Sequence, residues 1–195
     1  VGDDLLGRLI VQALEARDPS LSRLIRILPG RASSYTVVLS PERVDRIFLH
    51  CAGTNADFDL GDIDFDQLAG TRLFHMGYPS TLPHLMAHDG ERLAELYARA
   101  RATGVVTSLD TAMPDPDGPS GRANWPAILR RTLPSVDVFV PSIEETVFML
   151  RRADYETWGG DVLGHLTAAY LDDLAAQLVD WGVTIAGFKL SKLGF

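Results

Sequence analysis

The sequence is poor in the features that mark several large classes of protein. Its 195 residues contain one cysteine, Cys51, so no disulfide can form within the chain, and this favours a reducing compartment such as the cytoplasm. No apolar run approaches the roughly 18 residues that a membrane span needs. The net charge of −8 argues against a broad nucleic-acid-binding surface. We therefore expect a cytoplasmic protein that binds neither nucleic acid nor a membrane.

Common catalytic and metal-binding motifs are absent as well. The chain has one cysteine, and its histidines do not show the spacing of zinc ligands, so we expect no Cys/His metal cluster. The sequence has neither a Gly-x-Ser-x-Gly nucleophile elbow nor a Gly-x-x-x-x-Gly-Lys-Ser/Thr phosphate loop. What is present, 46% hydrophobic and 23% charged residues, predicts a globular chain long enough to bury one sizeable core.

From residue 71 onward, short runs of strand-forming residues alternate with helical patterns. Because strands that alternate with helices pair in parallel, the pattern predicts an α/β fold with helices on both faces of a parallel sheet. The predicted strands cover residues 71–76, 105–109, 136–140 and 183–189, and the predicted helices cover about 90–103, 125–132 and 163–181, with one more that begins after Ser142.

The strand at residues 136–140 organises the rest of this pattern. A proline ends it, Ser142 is a suitable helix cap, and Glu144 and Glu145 fall in the first turn of the next helix. These carboxylates either complement the helix dipole or contact a ligand, since open α/β sheets bind ligands at the carboxyl ends of their strands. Asp110, which ends the preceding strand, allows the same two interpretations, and a cap of the following loop is favoured.

Near the N-terminus, two extended runs at residues 34–39 and 46–51 predict a β-hairpin whose connection covers residues 40–45. Both of its faces carry apolar residues, although an isolated hairpin can cover only one. A missing strand, a bound ligand or a second subunit must therefore cover the other face. The hairpin is either an edge of the main sheet or a separate small lid. It is preceded by a helix that starts at Asp3 and Asp4, and we expect the natural protein to begin before Val1.

Seven segments, by their order and spacing, together resemble the ribokinase-like (PfkB) carbohydrate kinases. The likeness spans essentially the whole chain and corresponds to the central portion of a family member. The segments are Gly2-Asp-Asp-Leu-Leu-Gly7, Ser33-Ser-Tyr-Thr-Val-Val-Leu39 with Asp45-Arg-Ile-Phe-Leu-His50, Ala52-Gly-Thr-Asn55, Phe74-His-Met-Gly-Tyr-Pro79, Thr107-Ser-Leu-Asp110, Val136 through Glu145, and Lys189-Leu-Ser-Lys-Leu-Gly194.

The resemblance implies a fold and an activity. The fold is a three-layer α/β/α arrangement with a mostly parallel central sheet, in which residues 1–32 and 53–195 form the core and residues 33–52 form a small β-sheet lid. The activity is transfer of the γ-phosphoryl group of ATP to a hydroxyl of a sugar or nucleoside, with Mg²⁺. The lid closes over the sugar and often forms the interface of a homodimer, which would explain its two apolar faces.

The resemblance also implies which residues contact the sugar. Thr36 and Val38 match positions of the lid that touch the substrate. Asn55 matches the asparagine of a Gly-Ala-Asn segment, with Thr54 in place of the alanine. Tyr78, which follows the strand at residues 71–76, is the fourth residue that we expect to bind the substrate.

Five further residues match the nucleotide and metal sites of the family. Glu145 matches the glutamate of an Asn-x-x-Glu motif that organises Mg²⁺ through water, with Ser142 in place of the asparagine. Lys189, Ser191 and Gly194 match a nucleotide-binding turn, in which Ser191 replaces a glycine and adds a side chain where the backbone approaches phosphate. A carboxylate and a hydroxyl suit Mg²⁺, which prefers oxygen ligands.

The catalytic aspartate of the family would lie beyond Phe195, and its paired sugar-binding glycines would lie before Val1. Phosphoryl transfer depends on such a base and its anion hole, so we expect the chain given to be inactive by itself. Two alternatives are a non-catalytic relative that binds sugar or nucleotide, and an interaction module in which the hairpin serves dimerisation.

Overall fold

The protein is described by a computed structural model, which covers residues 1–42 and 46–195. The chain forms two compact units, Val1–Phe58 and Asp59–Phe195. Within the described ranges, no helix is long and apolar enough to cross a membrane.

The first unit begins with helix α1 (Leu5–Glu15), whose start is fixed by the carboxylate of Asp4. This carboxylate accepts hydrogen bonds from the N–H of Gly7 at 2.8 Å and from the N–H and hydroxyl of Ser33 at 2.8 and 2.7 Å. The buried Ser33 hydroxyl in turn accepts a bond from the N–H of Gly2 at 2.9 Å. The start of α1 is thereby joined to the segment that leads into the hairpin, and the donated bonds lower the pKa of Asp4 to about 2.

The hairpin consists of β1 (Tyr35–Leu39) and β2 (Ile47–Cys51), which pair antiparallel from Tyr35 opposite Cys51 to Leu39 opposite Ile47. The predicted hairpin is therefore confirmed. It forms a two-stranded sheet of its own, so it is not an edge of the main sheet. Residues 43–45 of the predicted connection, including the Asp45 of the resemblance, lie outside the described residues.

Both faces of the hairpin expose apolar side chains. The exposed fractions of these side chains lie between 45 and 57%, and the residues alternate between the two faces of the strands. The residues are Tyr35, Val37, Val38, Leu39, Ile47, Phe48 and Leu49. The prediction that residues 33–52 act as a lid on a core made of the remaining residues stays a prediction.

The second unit contains a four-stranded parallel sheet in the order β3 (Leu73–Met76), β4 (Val106–Leu109), β5 (Val138–Phe139) and β6 (Ile185–Ala186). The predicted parallel sheet is confirmed, although β5 and β6 are shorter than the predicted runs. A parallel bridge between Ser142 and Lys189 continues their pairing beyond the regular strands.

Helices of the second unit pack against this sheet, as the alternating pattern predicts. The ring of Tyr97 in α3 lies edge-on to that of Phe74 in β3, with 5.8 Å between their centroids. The core includes fully buried residues of α3, α4 and α5, among them Leu96, Leu129 and Val147. The helices are α2 (Phe65–Leu68), α3 (Pro83–Ala102), α4 (Trp125–Thr132), α5 (Ile143–Leu150), α6 (Arg152–Thr157) and α7 (Ala168–Asp180).

Helix α3 is interrupted at residues 87–90, so its second part begins near the predicted start at Gly90. His88, Asp89 and Gly90 have φ angles of 52°, 52° and 71°, which is the left-handed region. Gly90 also lies directly against Ile128 of α4, because a Cβ atom at Gly90 would be 2.8 Å from Cγ2 of Ile128. Both the backbone conformation and the packing therefore require glycine at this position.

We expect Asp4→Ala to destabilise the protein in a pH-dependent way. Because the folded state holds the pKa of Asp4 at about 2, below its unfolded value near 4, this stabilisation is present above pH 4 and is lost as the pH falls towards 2. The Tm difference between the wild type and Asp4→Ala, measured from pH 6 to pH 2, should shrink accordingly. Glu15→Ala, at the other end of α1, is the control. A Tm difference that does not change with pH would contradict this account.

We expect Gly90→Ala to destabilise the protein more than Gly104→Ala. Both glycines have a positive φ, 71° and 87°, so each substitution costs about 1 kcal/mol in the backbone. A Cβ at Gly104 meets open space, whereas at Gly90 it overlaps Ile128 and costs about 1–3 kcal/mol more. Urea unfolding of the two variants measures the difference. Equal losses would show that the contact with Ile128 relaxes without cost.

Candidate active site

The carboxyl ends of the four parallel strands lie at one edge of the sheet in the second unit. This follows from parallel pairing, and such edges are where open α/β sheets bind ligands. Main-chain hydrogen bonds hold the segments that leave the strands. The N–H of Tyr78 donates to the carbonyl of Asp110 at 3.2 Å, the N–H of Lys189 donates to Pro141 at 2.9 Å, and the N–H of Ile143 donates to Lys189 at 3.1 Å.

Glu145 lies at this edge, in the first turn of α5, and Ser142 is the N-cap residue of that helix, as predicted. The hydroxyl of Thr111 donates to Oε2 of Glu145 at 2.8 Å, and the N–H of Ser142 donates to the same oxygen at 3.2 Å. Both bonds end on Oε2, so the carboxylate is oriented from the side of β4 and from its own helix. The role of Thr111 was not predicted, because the contact joins residues 34 positions apart.

The environment of Glu145 is partly desolvated. Burial raises the pKa of its carboxyl above the usual range, while the hydrogen bonds from Thr111 and Ser142 and the positive charge of Lys189 act in the opposite direction. Since the cost of desolvation exceeds these compensations, the ionised carboxylate would gain from a further positive charge. This environment is chemically suited to a cation.

Lys189 and Asp110 form an ion pair across the same edge. The ammonium of Lys189 lies 2.8 Å from each carboxylate oxygen of Asp110, and the two side chains are 41% and 22% exposed. Oδ1 of Asp110 also accepts a bond from the N–H of Thr111 at 2.8 Å, in agreement with the favoured interpretation of Asp110 as a cap. Sequence reasoning missed the ion pair, because its members lie after different strands and 79 residues apart.

The turn after β6 contains the other two residues of the predicted nucleotide site. Ser191 is left-handed with φ 54°, and Gly194 has φ 99° and ψ −131°, a combination that is essentially restricted to glycine. The N–H of Leu190 donates to the carbonyl of Gly194 at 2.8 Å, and the N–H of Gly194 donates to Ser191 at 3.2 Å. The replacement of glycine by Ser191 therefore falls at a position where glycine would avoid strain.

Tyr78 has an unusual conformation for an aromatic residue. Its φ and ψ angles are 63° and 53°, and its side chain is 52% exposed. Left-handed backbone at a bulky residue is uncommon and often occurs at ligand sites. This observation is in keeping with the predicted contact between Tyr78 and the substrate, which stays a prediction.

The predicted site residues are divided between the two units. Tyr78, Ser142, Glu145 and Lys189 are brought to one edge of the sheet, and Ser191 and Gly194 lie in the turn that follows Lys189. Thr36, Val38 and Asn55 belong to the first unit. Thr36 Oγ1 lies 2.9 Å from Nδ1 of His50 across the hairpin, Val38 is exposed on β1, and Asn55 lies in a short 3₁₀ turn at Gly53–Asp57.

Known protein families and curated proteins give no match to this chain. Solved structures do match it. The structure of ribokinase from Giardia lamblia is 14% identical, with a TM-score of 0.66, over 97% of this chain and 50% of that chain. Ribokinase from Arabidopsis thaliana, complexed with ribose and ATP, is 16% identical, with a TM-score of 0.65, over 97% and 53%. Adenosine kinase from Anopheles gambiae is 16% identical, with a TM-score of 0.58, over 94% and 49%.

This likeness shows the fold of the chain. It is the ribokinase-like (PfkB) α/β fold that the sequence predicted, with a parallel sheet flanked by helices and a small antiparallel sheet. The chain spans about half the length of these solved structures.

We expect Thr111→Val to lower the free energy of unfolding by about 1–2 kcal/mol, because it removes a donor from a partly desolvated carboxylate. In a Glu145→Gln background the loss should be about half, since hydrogen bonds to neutral acceptors are weaker. Thr132→Val, whose hydroxyl donates to the helical carbonyl of Ile128, should cost the same in both backgrounds. Chemical denaturation of this double-mutant cycle is the measurement. An equal cost of Thr111→Val in both backgrounds would contradict the coupling.

Proposed function

We propose that the protein contributes to ATP-dependent phosphorylation of a sugar or sugar-like hydroxyl in the cytoplasm, as a carbohydrate kinase of the PfkB type. The observation that carries this proposal is that a half-buried carboxylate, Glu145, and the ammonium of Lys189, which is paired with Asp110, lie at the carboxyl ends of adjacent parallel strands in a ribokinase-like fold. A structure of the same fold complexed with ribose and ATP supports it.

The proposed nucleotide contacts are Lys189, Ser191 and Gly194. An ammonium forms strong charge-assisted hydrogen bonds with phosphate oxygens. The turn from Leu190 to Gly194 follows Lys189 directly. Because Gly194 has no side chain, a ligand can approach the main chain of the turn at this residue. These features support a contact between this turn and a phosphate or adenine group of ATP.

The residues at the strand ends fit a magnesium ion that arrives with the nucleotide. Within residues 1–42 and 46–195, no group of three or more His, Cys, Asp or Glu side chains is placed to hold a metal directly. Mg²⁺ usually keeps several waters and takes one or two carboxylates together with substrate phosphates. The carboxylate of Glu145, which is oriented by hydrogen bonds to Oε2, and the hydroxyl of Ser142 would provide the few protein oxygens that such an ion needs. When bound, the ion would neutralise charge on the phosphates.

The proposed sugar contacts are Thr36, Val38, Asn55 and Tyr78. The hydroxyl of Thr36 and the amide of Asn55 are able to hydrogen-bond with sugar hydroxyls, and an exposed aromatic ring such as that of Tyr78 packs well against the apolar face of a sugar. The apolar faces of the hairpin also support a homodimer formed through it, because an exposed two-stranded sheet gains stability when it is covered.

Nucleotide binding is the first test of this proposal. ATP with Mg²⁺ should raise the Tm of the 195-residue chain, because a ligand that binds only the folded state stabilises it. The rise should be smaller in EDTA, in Glu145→Gln and in Lys189→Met. Arg101→Met is the control and should keep the full rise, because the guanidinium of Arg101 lies 3.5 Å from Asp137, ahead of β5 and thus at the opposite edge of the sheet. No rise in Tm with ATP and Mg²⁺ or with any sugar would favour an interaction module and contradict the proposal.

Phosphorylation of a substrate by the chain is tested separately from binding. We expect the 195-residue chain to bind these ligands without phosphorylating a panel of hexoses, pentoses, ketohexonates and nucleosides, because the resemblance assigns the catalytic base to a position beyond Phe195. ATP-dependent product formation, followed by mass spectrometry, is the measurement. Clear turnover would contradict this expectation while supporting the kinase activity itself.

A further inference from the structure

The ion pair between Lys189 and Asp110 involves the lysine that we propose to bind the nucleotide. Lys189 and Lys192 are the only lysines in the chain, and its other permanently charged cationic side chains are arginines. The ammonium of Lys189 donates to both oxygens of Asp110 at 2.8 Å. The proposed nucleotide contact is thus already occupied by a carboxylate of the same chain.

Both members of the pair are fixed at their main chains. The carbonyl of Asp110 accepts a bond from Tyr78, and Lys189 is bonded to Pro141 and Ile143 on either side of its own peptide. Because β5 separates β4 from β6, the side chain of Lys189 must extend across the end of β5 to reach Asp110. The ammonium is therefore held at the strand end from which α5 begins.

Another anion could replace Asp110 as the partner of the Lys189 ammonium at little cost. Lys189 is 41% exposed and Asp110 is 22% exposed, so water and salt reach the ammonium and screen the pair in part, which lowers its net contribution to stability. The triphosphate of a nucleotide carries more negative charge than one carboxylate, and its oxygens form the same charge-assisted hydrogen bonds with an ammonium. After displacement, the carboxylate of Asp110 still accepts the N–H of Thr111, so it is not left without a partner.

We propose that Asp110 is an internal counter-ion of Lys189, which a phosphate group of the nucleotide displaces when it binds. Asp110 then acts as a positioning residue: it holds the ammonium in place before binding and weakens the attraction of this edge for other anions. The inference rests on the proposed nucleotide-binding role of Lys189. A purely structural ion pair would predict the opposite effect on affinity, since its loss would loosen the site.

Calorimetric titration with ATP–Mg²⁺ and with tripolyphosphate tests the exchange on the full chain. Asp110→Asn should bind both ligands about two- to tenfold more tightly than the wild type, because it removes the competing charge. The gain should vanish in the Lys189→Met background. Asp173→Asn also removes one negative charge from an exposed ion pair, that with Arg151, and should leave both affinities unchanged.

Amine acylation followed by peptide mass spectrometry tests the ion pair independently of any ligand. Since the chain has only two lysines, Lys192 is an internal reference in the same turn. Lys189 should react more slowly than Lys192 in the wild type at a fixed pH. Asp110→Asn should raise the rate at Lys189 and leave the rate at Lys192 unchanged.

The outcomes separate this inference from the proposed function. If the wild type binds the ligands and Asp110→Asn binds them equally well or more weakly, the counter-ion role is overturned. The proposal of nucleotide binding is then left intact. Absence of binding in every variant would overturn both. Equal acylation rates at Lys189 in the wild type and in Asp110→Asn would overturn the inference as well, because the carboxylate would then not occupy the ammonium.

Discussion

Parallel pairing of four short strands is the constraint on which the rest of this structure depends. It brings the segments after β3, β4, β5 and β6 to one edge, although up to 111 residues of sequence separate Tyr78 from Lys189. The hydrogen bonds between strands fix the main chain at each exit, and the side chains that follow meet there. The hydroxyl of Thr111 donates a hydrogen bond to Glu145, and the ammonium of Lys189 donates to Asp110. Without this register, neither contact could form.

The local elements could be predicted because their signals are local. The run at residues 136–140, the proline and the cap at Ser142 specify a strand, its end and a helix start, and the structure places each in that order. The hairpin follows from two extended runs in the same way. Strand lengths were less predictable, since β5 (Val138–Phe139) extends only as far as its neighbours pair with it.

The contacts within the candidate site could not be predicted from the residues alone. Asp110 and Lys189 are 79 residues apart, and their contact depends on the order of strands, which the sequence pattern left open. The contact between Thr111 and Glu145 has the same cause. The resemblance supplied the positions of Glu145 and Lys189, whereas only the structure supplies the partners that orient them and the burial that raises the pKa of Glu145.

The central claim is that the edge formed by the ends of β4, β5 and β6 binds the phosphates of a nucleotide. A crystal structure of the chain with a non-hydrolysable ATP analogue and Mg²⁺ tests it most directly. The account predicts phosphate density within hydrogen-bonding distance of the Lys189 ammonium, with Asp110 released from it and a hydrated ion on the side of Glu145. Nucleotide density elsewhere on the chain, with the pair of Lys189 and Asp110 intact, would contradict it.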